Sequence, residues 1–192
     1  MNETEFKEKL REKLQEKLEK AGVKVESDKN LIYKVVVNEK LAFEPNTPQK
    51  PRRGSYAFQT DLLITKRDSS LPLVVIETKY GGFSTHDILT YSTKAQKHKE
   101  IYPYLRYGLV VGGKNKIHNR FFTHNIGFDF AYALNSLDNE NSIEELAKII
   151  KQQIENAYLL LDILKNKNQT KKFNTIIKIE KLREMNKDEK KD

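Results

Sequence analysis

Apolar residues recur every fourth position at the start of the chain, at Phe6, Leu10, Leu14 and Leu18. That spacing lays one stripe along a helix over residues 3–21, with Gly22 as its stop. Glu5, Glu8, Glu12, Glu16 and Glu19 fall on the opposite side as a solvated face, and only Glu3 falls on the stripe. "LIYKVVV" (31–37) predicts a strand, and "EPNTPQKPRRG" (44–54), with three prolines and a glycine, predicts a loop carrying Lys50, Arg52 and Arg53. "YAFQTDLLI" (56–64) and "LPLVVIETK" (71–79) predict two more strands. "THDILTYSTKAQKHKEIY" (85–102) predicts a helix ended by Pro103, with Ser84 or Thr85 as its cap. "RYGLVVGG" (106–113) and "IGFDFAYAL" (126–134) predict further strands. "SIEELAKIIKQQIENAYLLLDIL" (142–164) predicts an amphipathic helix with Ser142 as N-cap and Glu145 completing a capping box. The order implies an α/β (α+β) domain over residues 1–164, a mixed central β-sheet flanked by helices. A basic C-terminal extension follows over residues 165–192, in which Phe173, Ile176, Ile177, Ile179 and Leu182 are apolar enough to fold.

The strand "VVIETK" raises a chemical question. Residues two apart share a face of a strand, so Glu77 and Lys79 lie with Leu73 and Val75, while Val74, Ile76 and Thr78 line the other side. Both faces are mainly apolar, which marks a central strand. The polar turn "KRDSS" (66–70) joins this strand to the previous one as a hairpin. Asp61 and Glu77 are equidistant from Ser69, so they face each other across the ladder, with Cβ atoms roughly 4.5–5.5 Å apart. Two buried carboxylates repel, and burying both without partners costs several kcal/mol each. Lys79 neutralises one charge in this reading, and a divalent cation the rest. Mg²⁺ takes one or two carboxylates and keeps its waters. Metal-assisted hydrolysis of a phosphodiester uses such a set: the metal polarises the phosphate and acidifies a water, and the amine orients that water or offsets developing charge.

Net charge sharpens the choice of substrate. The formal charge is +8, which favours a polyanion such as nucleic acid as partner. The absence of cysteine excludes disulfides and thiol chemistry. The charged N-terminus does not read as a secretory signal, and no stretch approaches the ~20 apolar residues of a spanning helix. A cytoplasmic protein without membrane association is the expectation.

Asp61, fifteen residues, then Glu77-Thr78-Lys79 resembles the signature of the PD-(D/E)XK nuclease superfamily, the restriction-endonuclease-like fold, over roughly residues 1–115. The resemblance implies Asp61 and Glu77 as metal ligands, the Thr78 carbonyl as a further ligand and Lys79 as the catalytic lysine. It implies Mg²⁺-dependent cleavage of double-stranded DNA, with Mn²⁺ able to substitute, by an enzyme most like a small type II restriction endonuclease acting as a homodimer. A junction-resolvase-like repair nuclease, or a DNA-binding module or subunit with a nuclease fold, are the alternatives. Thr60 replaces the proline of the signature, and the role of a first-helix glutamate is left unassigned. The family's second helix often lends a polar side chain to the site, which nominates Gln96 or Lys99. Lys94, Lys97 and His86 fall on the other side of that helix, facing DNA or solvent. Arg52, Arg53, Lys94, Gln96, Lys99 and Arg120 are the candidate DNA contacts. Tyr102, Tyr104 and Tyr107 beside Arg106 suit either base stacking or the edge of the core. His118 and His124 have no third ligand nearby, which is weak for zinc.

Overall fold

A computed structural model describes residues 1–47, 51–54, 56–166 and 169–181. Lys50 and the end of the extension from Leu182 onward lie outside them. Helix α1 (Glu3–Lys17) ends in a short 3-10 turn and Gly22 at φ 66°, a left-handed position that suits glycine. Four short strands come next, β1 (Val23–Ser27), β2 (Asn30–Ile32), β3 (Val36–Val37) and β4 (Phe43–Glu44). The chain continues through β5 (Ala57–Gln59), β6 (Leu62–Lys66), β7 (Pro72–Tyr80), α2 (Thr85–Ile101), β8 (Arg106–Gly112), α3 (Asn119–His124), β9 (Phe130–Leu134) and α4 (Glu140–Asn166).

The main sheet has five strands in the order β1-β6-β7-β8-β9. β1, β6 and β7 pair antiparallel, and β7, β8 and β9 pair parallel. The sheet is therefore mixed, with β7 central. Its two faces are covered differently. Phe6, Leu10 and Leu14 of α1 and Ile143 and Ile150 of α4 pack with Val74 and Ile76 on one face. Ile88 and Ala95 of α2 pack with Val75, Leu109 and Val111 on the other. Burial at roughly 25 cal/mol per Å² of apolar surface holds both layers.

Several expected elements are redrawn. β1 was not anticipated, because "VKVES" alternates over only two apolar residues. The strand expected over 31–37 divides into β2 and β3, which join two small two-stranded sheets with β5 and β4. The strand expected over 56–64 divides into β5 and β6, leaving Thr60 and Asp61 between them. The strand expected over 126–134 is only β9, and α3 precedes it. Leu73 packs with Val74 and Ile76 rather than with Val75, because the β6–β7 register skips it after Ile64. Ser142 lies inside α4; the Asn139 side chain accepts from its amide at 3.2 Å. Residues 169–181 carry no helix or strand, and Phe173 is 83% exposed.

Gly112 fixes how closely α1 approaches the sheet. A Cβ there would lie 2.4 Å from the ring of Phe6, which is buried. Gly112→Ala is expected to destabilise the protein by about 1–3 kcal/mol through overpacking, measured as a lowered midpoint in urea denaturation.

Candidate active site

β6 pairs Leu62 with Ile76, Leu63 with Val75 and Ile64 with Val74. Carried one step beyond β6, that register sets Asp61 opposite Glu77, as a hairpin centred on Ser69 requires. The backbone ladder stops there, and the Asp61 side chain continues it. Its Oδ2 accepts from the Thr78 amide at 2.7 Å and from the Thr78 hydroxyl at 3.1 Å. An extended residue points its N–H and C=O toward the same neighbouring strand, so the Thr78 carbonyl also faces the gap at Asp61.

Glu77 is 0% exposed. Its Oε1 accepts from the Tyr107 hydroxyl at 2.6 Å and from the Lys94 ammonium at 2.7 Å. Its Oε2 is buried without a hydrogen-bond partner among the described residues. Burial pushes the Glu77 carboxyl above its ordinary pKa; Lys94 opposes the push and the charge of Asp61 adds to it. Tyr107, itself fully buried, stacks on His98 at 5.8 Å. His98 is driven down to about 4 by burial, so it is a neutral ring at pH 7, with Nε2 3.1 Å from the Leu31 carbonyl.

Lys79 follows Glu77 on the same face but finds other partners. Its Nζ lies 3.2 Å from Glu3 and 3.4 Å from Asp87, and 5.6 Å from the centre of the Tyr91 ring. Burial acts against its charge, but Tyr91 and Glu3 outweigh burial and hold its pKa above the ordinary lysine value. Lys79 is therefore a cation throughout the physiological range. Glu3 thus reaches Lys79 from α1, in the hollow beside the acids rather than at the acids themselves. The charge beside Glu77 is supplied by Lys94 of α2 instead, at 2.7 Å, while Lys79 is engaged by Glu3 and Asp87.

Asp61 and the buried Glu77 border one cavity of about 800 Å³, lined also by Arg53, Phe58, Leu89, Tyr91 and Lys94. A second, shallower depression holds Lys79 with Glu3, Asp87, Arg120 and the Gly81–Gly82 turn. Of the candidate DNA contacts, Arg53, Lys94 and Arg120 therefore border these two hollows. Arg52 is exposed on the adjoining loop. Gln96 is exposed and lines neither hollow. Lys99 turns away from both: its Nζ lies 2.6 Å from the Gly127 carbonyl and 2.8 Å from Asp129, and Asp129 also pairs with Arg106. A capping box closes the start of α2: the Ser84 hydroxyl accepts from the Asp87 amide and the Asp87 carboxylate accepts from the Ser84 amide.

Tyr91 was not singled out in the sequence, and Tyr107 was weighed only as a stacking or core residue. Tyr107 had one legible signal, its place on a strand parallel to the "ExK" strand. Lys94 had none beyond its helix, since its direction depends on where α2 crosses the sheet.

Among the described residues, no three His, Cys, Asp or Glu side chains come together as a metal group. The oxygen set is the carboxylate pair with the Thr78 carbonyl beside it. Such a sparse, hard set fits a Mg²⁺-like ion that retains waters, and the partnerless Oε2 of Glu77 is the atom such a cation satisfies. Comparison with known proteins finds no matching family model and no curated relative.

A raised carboxyl pKa stabilises the fold fully below the ordinary glutamate range, and that contribution is lost as pH rises through the raised value. Thermal stability in EDTA should therefore fall with pH across that window more steeply than in Glu77→Gln. MgCl₂ should restore stability to the wild type most at the upper end, because binding requires the ionised form. Differential scanning calorimetry at several pH values checks both.

Proposed function

We propose that this protein is a Mg²⁺-dependent DNA endonuclease, most like a small type II restriction enzyme. The observation that carries the reading is the convergence of Asp61 and Glu77 on one cavity with the Glu77 Oε2 left partnerless. Lys79 at the next position of the same strand face and the +8 formal charge add to it.

In this reading Asp61, Glu77 and the Thr78 carbonyl hold the ion. When bound, Mg²⁺ polarises the scissile phosphate and lowers the pKa of a bound water. Lys79, held as an ammonium, donates a hydrogen bond and stabilises the negative charge that grows on the phosphate. Tyr107 and Lys94 orient the Glu77 carboxylate and offset part of the cost of burying it. Arg52, Arg53 and Arg120 supply phosphate contacts around the hollows. Cutting both strands of a duplex calls for two such sites, which a two-fold symmetric homodimer provides.

Supercoiled plasmid incubated with MgCl₂, with MnCl₂ or with EDTA tests the reading. Discrete metal-dependent fragments support it, and cleavage confined to branched junctions reassigns the enzyme as a resolvase. DNA binding without cleavage in either metal reduces it to a binding module. Lys79→Ala is expected to lower the cleavage rate by at least about 100-fold while leaving DNA affinity within about threefold. Affinity in gel-shift titrations should fall steeply between 50 and 200 mM salt, on the order of 10³-fold for a protein making about six phosphate contacts.

A further inference from the structure

The cavity beside the carboxylate pair contains more than phosphate chemistry needs. A phosphodiester is recognised by cations and amide donors, yet here Leu89, Tyr91, Ala57 and Phe58 form apolar and aromatic walls. Leu89 is 44% exposed, an apolar side chain standing open next to two acids. Phe58 is held in place by the Tyr33 ring stacked on it at 3.8 Å. Arg53 stands at the rim on a loop. The volume of about 800 Å³ falls in the roughly 300–1,000 Å³ range of sites that enclose a small molecule.

We infer that this cavity receives a nucleobase that has left the helical stack, so that the preferred substrate carries an unpaired nucleotide at the cleaved position. This rests on the nuclease reading of the same site and names its substrate class. A base in continuous duplex is stacked and paired, and cannot enter without first being unstacked and unpaired. An unpaired or single-stranded base avoids most of that cost and gains stacking against the aromatic wall. With its base against Tyr91 and Leu89, such a nucleotide brings its own phosphate to Asp61 and Glu77, and Arg53 meets the neighbouring phosphate.

Three oligonucleotide substrates of one sequence test this with the full chain: a single strand, a continuous duplex, and a duplex with one unpaired nucleotide. Each carries 2-aminopurine at the nucleotide concerned. With MgCl₂ the two unpaired forms should be cut at least about tenfold faster than the duplex. In EDTA their 2-aminopurine fluorescence should change on binding. Leu89→Trp, a surface substitution that fills the cavity, should remove both effects while leaving the circular dichroism spectrum unchanged. Equal cleavage of all three substrates, or an unchanged preference in Leu89→Trp, overturns the base pocket and leaves the nuclease standing. A fluorescence response lost in Leu89→Trp, with no cleavage of any substrate, upholds the pocket and removes the nuclease reading.

Discussion

A carboxylate sealed from water is the constraint around which this fold is arranged. Glu77 lies at the centre of a five-stranded sheet with no solvent exposure. Burying such a charge costs several kcal/mol unless partners replace its hydration. Two partners arrive from separate elements. β8 runs parallel to β7 and pairs Tyr107 with Val75, two residues before Glu77, so the long phenol side chain reaches forward to the carboxylate. α2 returns over the same face and delivers Lys94 from above. Both reach one oxygen and leave the other unmet, which makes the group half-satisfied and receptive to a further cation.

α2 acts as a row of contacts laid along β7. Asp87, Tyr91 and Lys94 are three or four residues apart and so share one helix face. Asp87 meets Lys79, Tyr91 lies within 5.6 Å of Lys79 and 5.3 Å of Lys94, and Lys94 meets Glu77. The helix direction follows from the Gly81–Gly82 turn, where φ values of 79° and 142° reverse the chain. Phe6 against Gly112 positions α1 so that Glu3 closes the far end of the row. Two hollows result, one around the acids and one around Lys79, with Tyr91 standing between their charged groups.

The sequence reveals most where periodicity and register decide the outcome. The central strand, the helix after it and the facing of Asp61 with Glu77 all follow from alternation and from one turn. Register near the acids is regular, and the irregularity at Leu73 lies closer to the turn. Long-range crossings are harder to read. The helical wheel sets Lys94 on the side away from the apolar stripe, facing DNA or solvent, whereas its side chain is 16% exposed and reaches in to Glu77. Lys99 was the better candidate by sequence, because a polar residue on an apolar face calls for a partner. Its partners are Asp129 and the Gly127 carbonyl, the latter 28 residues further along the chain, rather than the acids. β1 escaped notice because an edge strand of five residues needs little apolar alternation, and Ser142 was displaced as cap by an asparagine three residues earlier.

Asp61 performs two jobs with one side chain. It finishes the hairpin by standing in for a missing backbone acceptor, and it presents an acid to the cavity. A change at that position therefore confounds architecture with chemistry, since it removes both at once. Among the described residues the partners of the Lys79 ammonium are side chains, those of Glu3, Asp87 and Tyr91, and none is a backbone group of the hairpin. Substitution of the lysine therefore probes the proposed chemistry more cleanly than substitution of the aspartate, which belongs to the scaffold as well.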